Sequence, residues 1–211
     1  MFLLFILVSL ISFIGSLHPG TVSLAVVQTT LSQGRRAGLW LALGGSLPEL
    51  FWSSVAAGGL MLLPMQLAWT SWLAYAPIPV LLGMGIVAFR QKAVVFTTPL
   101  VTNGQAAGGG ALFPFWKGVV LGGSNPQLLP FWSAVWLYLS GSVLVPVGQS
   151  GSLWVFAMGT AAGAFGLLGL VAWLANRKRQ QILRYLSGHW LNRLTGVLFL
   201  GMALWQLIRV I

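Results

Sequence analysis

Six long apolar runs, separated by short polar or glycine-rich stretches, organise the chain. A helix needs roughly 20 predominantly apolar residues to cross a bilayer. Runs of that kind fall near residues 3–31, 39–63, 71–89, 116–139, 152–175 and 190–208. The pattern predicts an all-α polytopic membrane protein, a single transmembrane domain over residues 1–211 with six spans.

Composition agrees with lipid as the solvent. Only 6% of the 211 residues are charged, against about a quarter in soluble domains. With no cysteine, the chain has no disulfide, thiolate metal site or thiol redox chemistry. A net charge of +10 in a soluble protein would point to nucleic acid. In a membrane protein basic residues gather in cytoplasmic connections instead, so nucleic acid is not an expected partner and the bilayer is. Met1–Leu17 lacks a basic leader and a small-residue cleavage site, so no cleaved signal peptide is expected.

Charge also orients the spans. Arg35 and Arg36 follow span 1; Arg90, Lys92 and, at the very start of span 4, Lys117 belong to the connection from span 3 to 4; Arg177, Lys178, Arg179, Arg184 and, in the first turn of span 6, Arg193 belong to that from span 5 to 6. These are ten of the eleven basic residues, and only Arg209 falls elsewhere. Lys and Arg stay inside, so the odd-numbered connections are expected in the cytoplasm and both termini outside. Trp69, Trp72 and Tyr75 suit the outer interface; Trp116, Trp173 and Trp190 suit the inner one.

The two halves share a pattern. Gly15-Ser16-Leu17-His18-Pro19 in span 1 matches Gly122-Gly123-Ser124-Asn125-Pro126 in span 4 at a constant separation of 107 residues. Leu82-Gly83-Met84 and Leu200-Gly201-Met202 match near the ends of spans 3 and 6. Three spans per half make the second half enter from the opposite face, which predicts two inverted three-helix repeats. Repeat A covers about residues 1–92 and repeat B about 115–211, joined by a connection of about 93–114.

Pro19 and Pro126 are the expected helix breaks, since a mid-helix proline interrupts the hydrogen-bond ladder. Proline suits the first position of a new helix after a polar cap, so His18 and Asn125 read as caps. Broken backbone at membrane depth survives only where it is buried in protein or lines a wet cavity. In an inverted repeat the two restarted helices point their N-termini at a shared centre, and their N–H groups attract an anion such as a carboxylate.

Glu49 is the only acidic residue in the chain and stands in the middle of span 2. A charged side chain at a helix centre costs roughly 2.5–3.5 kcal/mol on insertion scales, and such residues mark sites for a substrate, an ion or a proton. Its side of the helix carries Ala42, Gly45, Ser46, Ser53 and Ala56; the other carries Leu39, Leu43, Leu47, Leu50 and Phe51. Small residues allow close helix contact, so Glu49 is expected to point into the bundle. Desolvation disfavours a charged carboxyl, and a carboxyl held near neutrality can trade a proton for an ammonium group. His18 is a second candidate for proton relay, because imidazole titrates near physiological pH.

The motifs, in order, resemble the lysine-exporter (LysE/RhtB-type) family of amino-acid efflux transporters. The resemblance runs through His18-Pro19-Gly20-Thr21, Gly34-Arg35-Arg36-Ala37-Gly38, the glycine-rich approach to Glu49, Lys117-Gly118, Asn125-Pro126 and Thr195-Gly196 with Gly201. Thr21 stands where the family typically has the second proline of Pro-Gly-Pro. The resemblance implies secondary active export of amino acids or close derivatives across the cytoplasmic membrane, driven by the proton gradient.

A zwitterionic substrate matches the residues. Helix N-termini at the breaks would hold its carboxylate, with Gly20 at the first, and Glu49 its ammonium; Thr21, Ser23, Ser124 and Asn125 would add neutral hydrogen bonds. A dicationic substrate such as lysine would bring a second positive charge with no second carboxylate to meet it, so a neutral or apolar amino acid is favoured.

The alternatives are a small-solute channel, which two equivalent Asn-Pro-Ala corners would favour and this sequence lacks, and a cation or metal exporter. For the latter one Glu is poor provision, since hard cations want several oxygen ligands. Paired aspartates, HExxH and Gly-x-Ser-x-Gly are absent, so neither enzyme activity nor a cofactor or metal is expected. A purely structural membrane subunit is a further alternative. Gly159-Thr160-Ala161-Ala162-Gly163 suits close helix contact within the chain or between copies, so a homodimer stands among the expected partners.

Overall fold

Small residues set how closely the helices approach, and those approaches define the architecture. The computed structural model describes residues 1–17, 20–62, 75, 77–90, 112–125, 127–140, 151–178 and 189–210. Among these the chain is all-helical: α1 (Phe2–Gly15), α2 (Thr21–Gln33), α3 (Arg35–Met61), α4 (Pro77–Arg90), α5 (Leu112–Gly123), α6 (Leu128–Ser140), α7 (Ser152–Arg177) and α8 (His189–Val210). Span 1 is thus divided into α1 and α2, and span 4 into α5 and α6, at the two glycine-to-proline segments. Of the described helices only α7 is by itself long and apolar enough to cross a membrane.

Gly34 links α2 to α3 at φ 90°, a left-handed backbone that glycine adopts without a Cβ clash. Along the α1–α7 contact, Gly159 faces Phe5 and Val8, Gly163 faces Ser9 and Ser12, and Gly166 faces Phe13, so the two helices run in the same direction. Along α3–α5, Gly44 faces Phe115, Gly118 faces Leu41 and Gly44, and Gly122 faces Gly45 and Pro48; these also run in the same direction. Leu168, Thr160 and Leu153 of α7 meet Gly45, Ser53 and Gly58 of α3 in reverse order. Hence α3 and α7 are antiparallel, and α1 and α5 run oppositely. Gly85 and Gly196 bring α4 and α8 together in the same backbone-close manner.

Two apolar clusters fill the interior. One joins α1, α3, α6 and α7 around Trp132, Trp136 and Phe156, and extends to Leu81 of α4 and Phe199 of α8. The other joins α2, α3 and α7 around Val26, Leu41 and Leu168. Between α3 and α7 the Ser53 and Thr160 hydroxyls are 3.0 Å apart, and Ser12 of α1 donates to the Thr160 carbonyl at 2.7 Å. Such interhelical bonds average about 0.6 kcal/mol in membranes. Thr160→Val is therefore expected to lower the thermal midpoint of the detergent-solubilised protein only slightly, and a collapse of several tens of degrees would contradict this assignment.

The small-residue face of α3 is the buried one: Ala42, Gly45, Ser46, Ser53 and Ala56 are buried, whereas Leu47 and Phe51 are exposed and Leu39, Leu43 and Leu50 partly so. Helix α3 continues unbroken through Pro48, whose ring lies against Gly122.

Candidate functional site

The two interruptions differ in detail from their sequence prediction. Helix α1 closes with the Ser16 and Leu17 N–H groups on the carbonyls of Ser12 and Ile14. Helix α2 begins at Thr21, with Gly20 as extended N-cap (φ −91°, ψ 177°), so Pro19 is not its first residue and His18 is not its cap. His18, Pro19 and Pro126 themselves lie outside the described residues.

At the second interruption α6 begins at Leu128, two residues beyond the proline. Asn125 does act on the restarting chain, since its Oδ1 accepts the Gln127 N–H at 3.1 Å. Its carbonyl accepts the Leu128 N–H at 3.4 Å. Pro130 in the first turn of α6 has no N–H to give. The Asn125 turn therefore consumes donors that the helix start would otherwise present. At α2 the Leu24 N–H donates to the Gly20 carbonyl, closing the first turn of that helix.

Both restarts border one cavity of about 130 Å³. It has room for several waters or one small solute. Gly20, Thr21 and Ser23 line it from the first interruption, Asn125 and Gln127 from the second, and Glu49 from α3. Ser12 of α1, whose hydroxyl donates to the Thr160 carbonyl, and Ser16 at the end of that helix also line it. The remaining wall is apolar: Met84, Val87 and Ala88 of α4, Phe131 and Trp132 of α6, Leu168 of α7 and Phe199 of α8. Glu49 is half-buried and is the one ionisable side chain among the described lining residues.

Of the residues picked from sequence, Glu49, Gly20, Thr21, Ser23 and Asn125 share this cavity, and Ser124 does not. Ser124 is exposed, and its hydroxyl donates back to the Val120 carbonyl at 2.8 Å, one helical turn earlier. Ser124→Ala is expected to leave substrate flux unchanged in reconstituted vesicles; a large loss of flux would put Ser124 back at the site.

Sequence reasoning missed Trp132, whose indole Nε1–H donates to Glu49 Oε2 at 2.5 Å. The available signal was position. Tryptophan in membrane helices favours the interface, and a tryptophan buried in mid-span needs a partner for its N–H. Trp132 lies within span 4, five residues after Gln127 at the second interruption, and the chain offers only one side-chain carboxylate.

The LysE type translocator family model matches residues 13–209, a stretch that includes every lining residue except Ser12. Among curated proteins and solved structures nothing matches the chain. Two interrupted helices and a lone acid around a small cavity are features a solute carrier can use, and the family match extends across almost the whole sequence. The chain belongs to the LysE type translocator family, membrane transporters that export amino acids or similar solutes.

Proposed function

We propose that this protein exports a neutral or apolar amino acid, or a close derivative, across the cytoplasmic membrane in exchange for a proton. The observation that carries the reading is the single cavity bordered by both helix restarts and by the only acid in the chain. Six spans arranged as two inverted repeats fit the opposite directions of α1 and α5 and the antiparallel α3–α7 pair. Both termini outside fits the distribution of Lys and Arg.

In this reading the α2 N-terminus receives the substrate carboxylate, because N–H groups and the helix dipole favour negative charge there. The α6 start contributes less, its donors being taken up by Asn125. Glu49 in its charged form receives the ammonium group, and Thr21, Ser23 and Asn125 supply neutral hydrogen bonds. The apolar wall from α4, α6 and α8 accepts an aliphatic or aromatic side chain.

The exchange follows from charge. With the cavity open to the outside, a proton moves from water to the Glu49 carboxylate and the ammonium group loses its counter-charge and leaves. With the cavity open to the cytoplasm, the proton leaves and the next ammonium group takes its place. One carboxylate then carries one proton in for each substrate out, with His18 the second candidate on the proton's route.

Counterflow into proteoliposomes against a panel of labelled amino acids, at two pH values, tests the proposal. Uptake of leucine-like substrates with trans-stimulation is expected. Affinity for lysine far above leucine or threonine would contradict the substrate class, and flux without trans-stimulation would favour a channel.

A further inference from the structure

We propose that Trp132 is the residue that positions the Glu49 carboxylate for the substrate's ammonium group, an inference that rests on the transporter reading above. A glutamate side chain has three rotatable torsions, and fixing it on binding costs conformational entropy. Trp132 removes that freedom beforehand. Its Nε1–H holds Glu49 Oε2, and a carboxylate still has further lone pairs for a cation in the cavity that Glu49 lines.

The indole is itself held. Trp132 is only 1% exposed. Its ring meets Phe156 edge-on, with centroids 5.6 Å apart and planes at 90°, and Phe131 at 4.7 Å and 59°. Phe156 is fully buried and is braced in turn by Trp136 at 4.9 Å. The N–H is thus aimed by packed rings from α6 and α7 at a carboxylate on α3. A hydrogen bond to a charged group, in a site where Glu49 is the one ionisable side chain among the described lining residues, orients Glu49 without neutralising it. A basic residue in that place would compete with the substrate ammonium; an indole does not.

Trp132→Phe keeps the ring packing and removes the donor. The test compares competition of labelled leucine counterflow by leucine and by 4-methylpentanoate, which has the same side chain and carboxylate but no ammonium group. In the unsubstituted protein leucine is expected to compete better. Trp132→Phe is expected to narrow that preference by about tenfold, the equivalent of about 1.4 kcal/mol, while competition by 4-methylpentanoate is unchanged. Equal weakening of both competitors would mean that Trp132 only supports the fold, and overturns the proposal. A preference that survives Trp132→Phe but collapses in Glu49→Gln also overturns it, leaving the role of Glu49 intact. Equal preference in the unsubstituted protein and Glu49→Gln sinks the Glu49–ammonium pairing itself.

A second readout needs no substrate. Glu49 is the only side-chain carboxyl, so its infrared C=O band is isolated by subtracting the Glu49→Gln spectrum. Loss of the indole donor is expected to move that band, and an unmoved band in Trp132→Phe overturns the proposal.

Discussion

Glu49→Gln is expected to abolish proton-driven accumulation while leaving a folded protein. The amide keeps an oxygen that can accept the Trp132 N–H, so the contact between α3 and α6 survives. What disappears is the charge that, in the proposed exchange, pairs with an ammonium group and the atom that carries the proton. Hydrogen bonds to charged groups contribute about 1.5–3 kcal/mol, so substrate affinity should fall by roughly 10- to 100-fold. Stability should hold or rise, because the chain no longer places an ionisable group at membrane depth. Counterflow kinetics, vesicle uptake under an imposed pH gradient and the thermal midpoint check the three parts separately. A variant that still accumulates substrate against its gradient when the proton gradient is imposed would remove Glu49 from the coupling.

Gly118→Ala is expected to do more damage than any other change of one carbon atom in α5. A Cβ there would lie 2.7 Å from the Gly45 nitrogen and press on the Leu41 carbonyl and the Gly44 backbone. These are main-chain atoms that no rotamer change can move. Overpacking a fitted core costs typically about 1–3 kcal/mol, and here the strain separates α5 from α3, the pair that brings Gly122 to Pro48, the residue before Glu49. Loss of several degrees in thermal midpoint and loss of transport are expected together. Gly59→Ala is the matched control: nothing lies within 4 Å of its added carbon, and alanine in a helix is favoured over glycine by about 1 kcal/mol. If both substitutions behaved alike, close α3–α5 packing would not be what shapes the cavity.

The sequence exposed more of the site than of its detail, for physical reasons. The apolar runs pointed to an all-helical chain, as the described residues are, although of the described helices only α7 is by itself long and apolar enough to cross a membrane. The side of Glu49 was legible because small residues and bulky ones occupy opposite faces of α3, a contrast that survives folding intact. Interruption of spans 1 and 4 was suggested by the repeated glycine-polar-proline pattern, not by proline alone, since Gly44 and Pro48 stand at the same spacing inside the unbroken α3. Where each helix restarts was not. That depends on the extended backbone at Gly20 and on the Asn125 side chain folding back to Gln127, local geometries that a motif of five residues does not encode. Ser124 and Ser12 show the same limit: both are small polar residues near a break, yet one bonds its own helix and the other lines the cavity. Trp132 was hidden because its importance lies in a contact across 83 residues of sequence.

The central claim is that the two interrupted helices and Glu49 enclose one pocket that substrate enters. Chemical modification reads this directly, because a hydrophobic carbodiimide acting on side-chain carboxyls has a single target in this chain. It converts the carboxyl to an N-acylurea, which peptide mass spectrometry locates and distinguishes from any reaction at the C-terminus. Saturating amino-acid substrate is expected to protect Glu49 from modification, and its des-amino analogue to protect far less. Modification of Glu49 at the same rate with and without a substrate that the protein demonstrably transports would contradict the account.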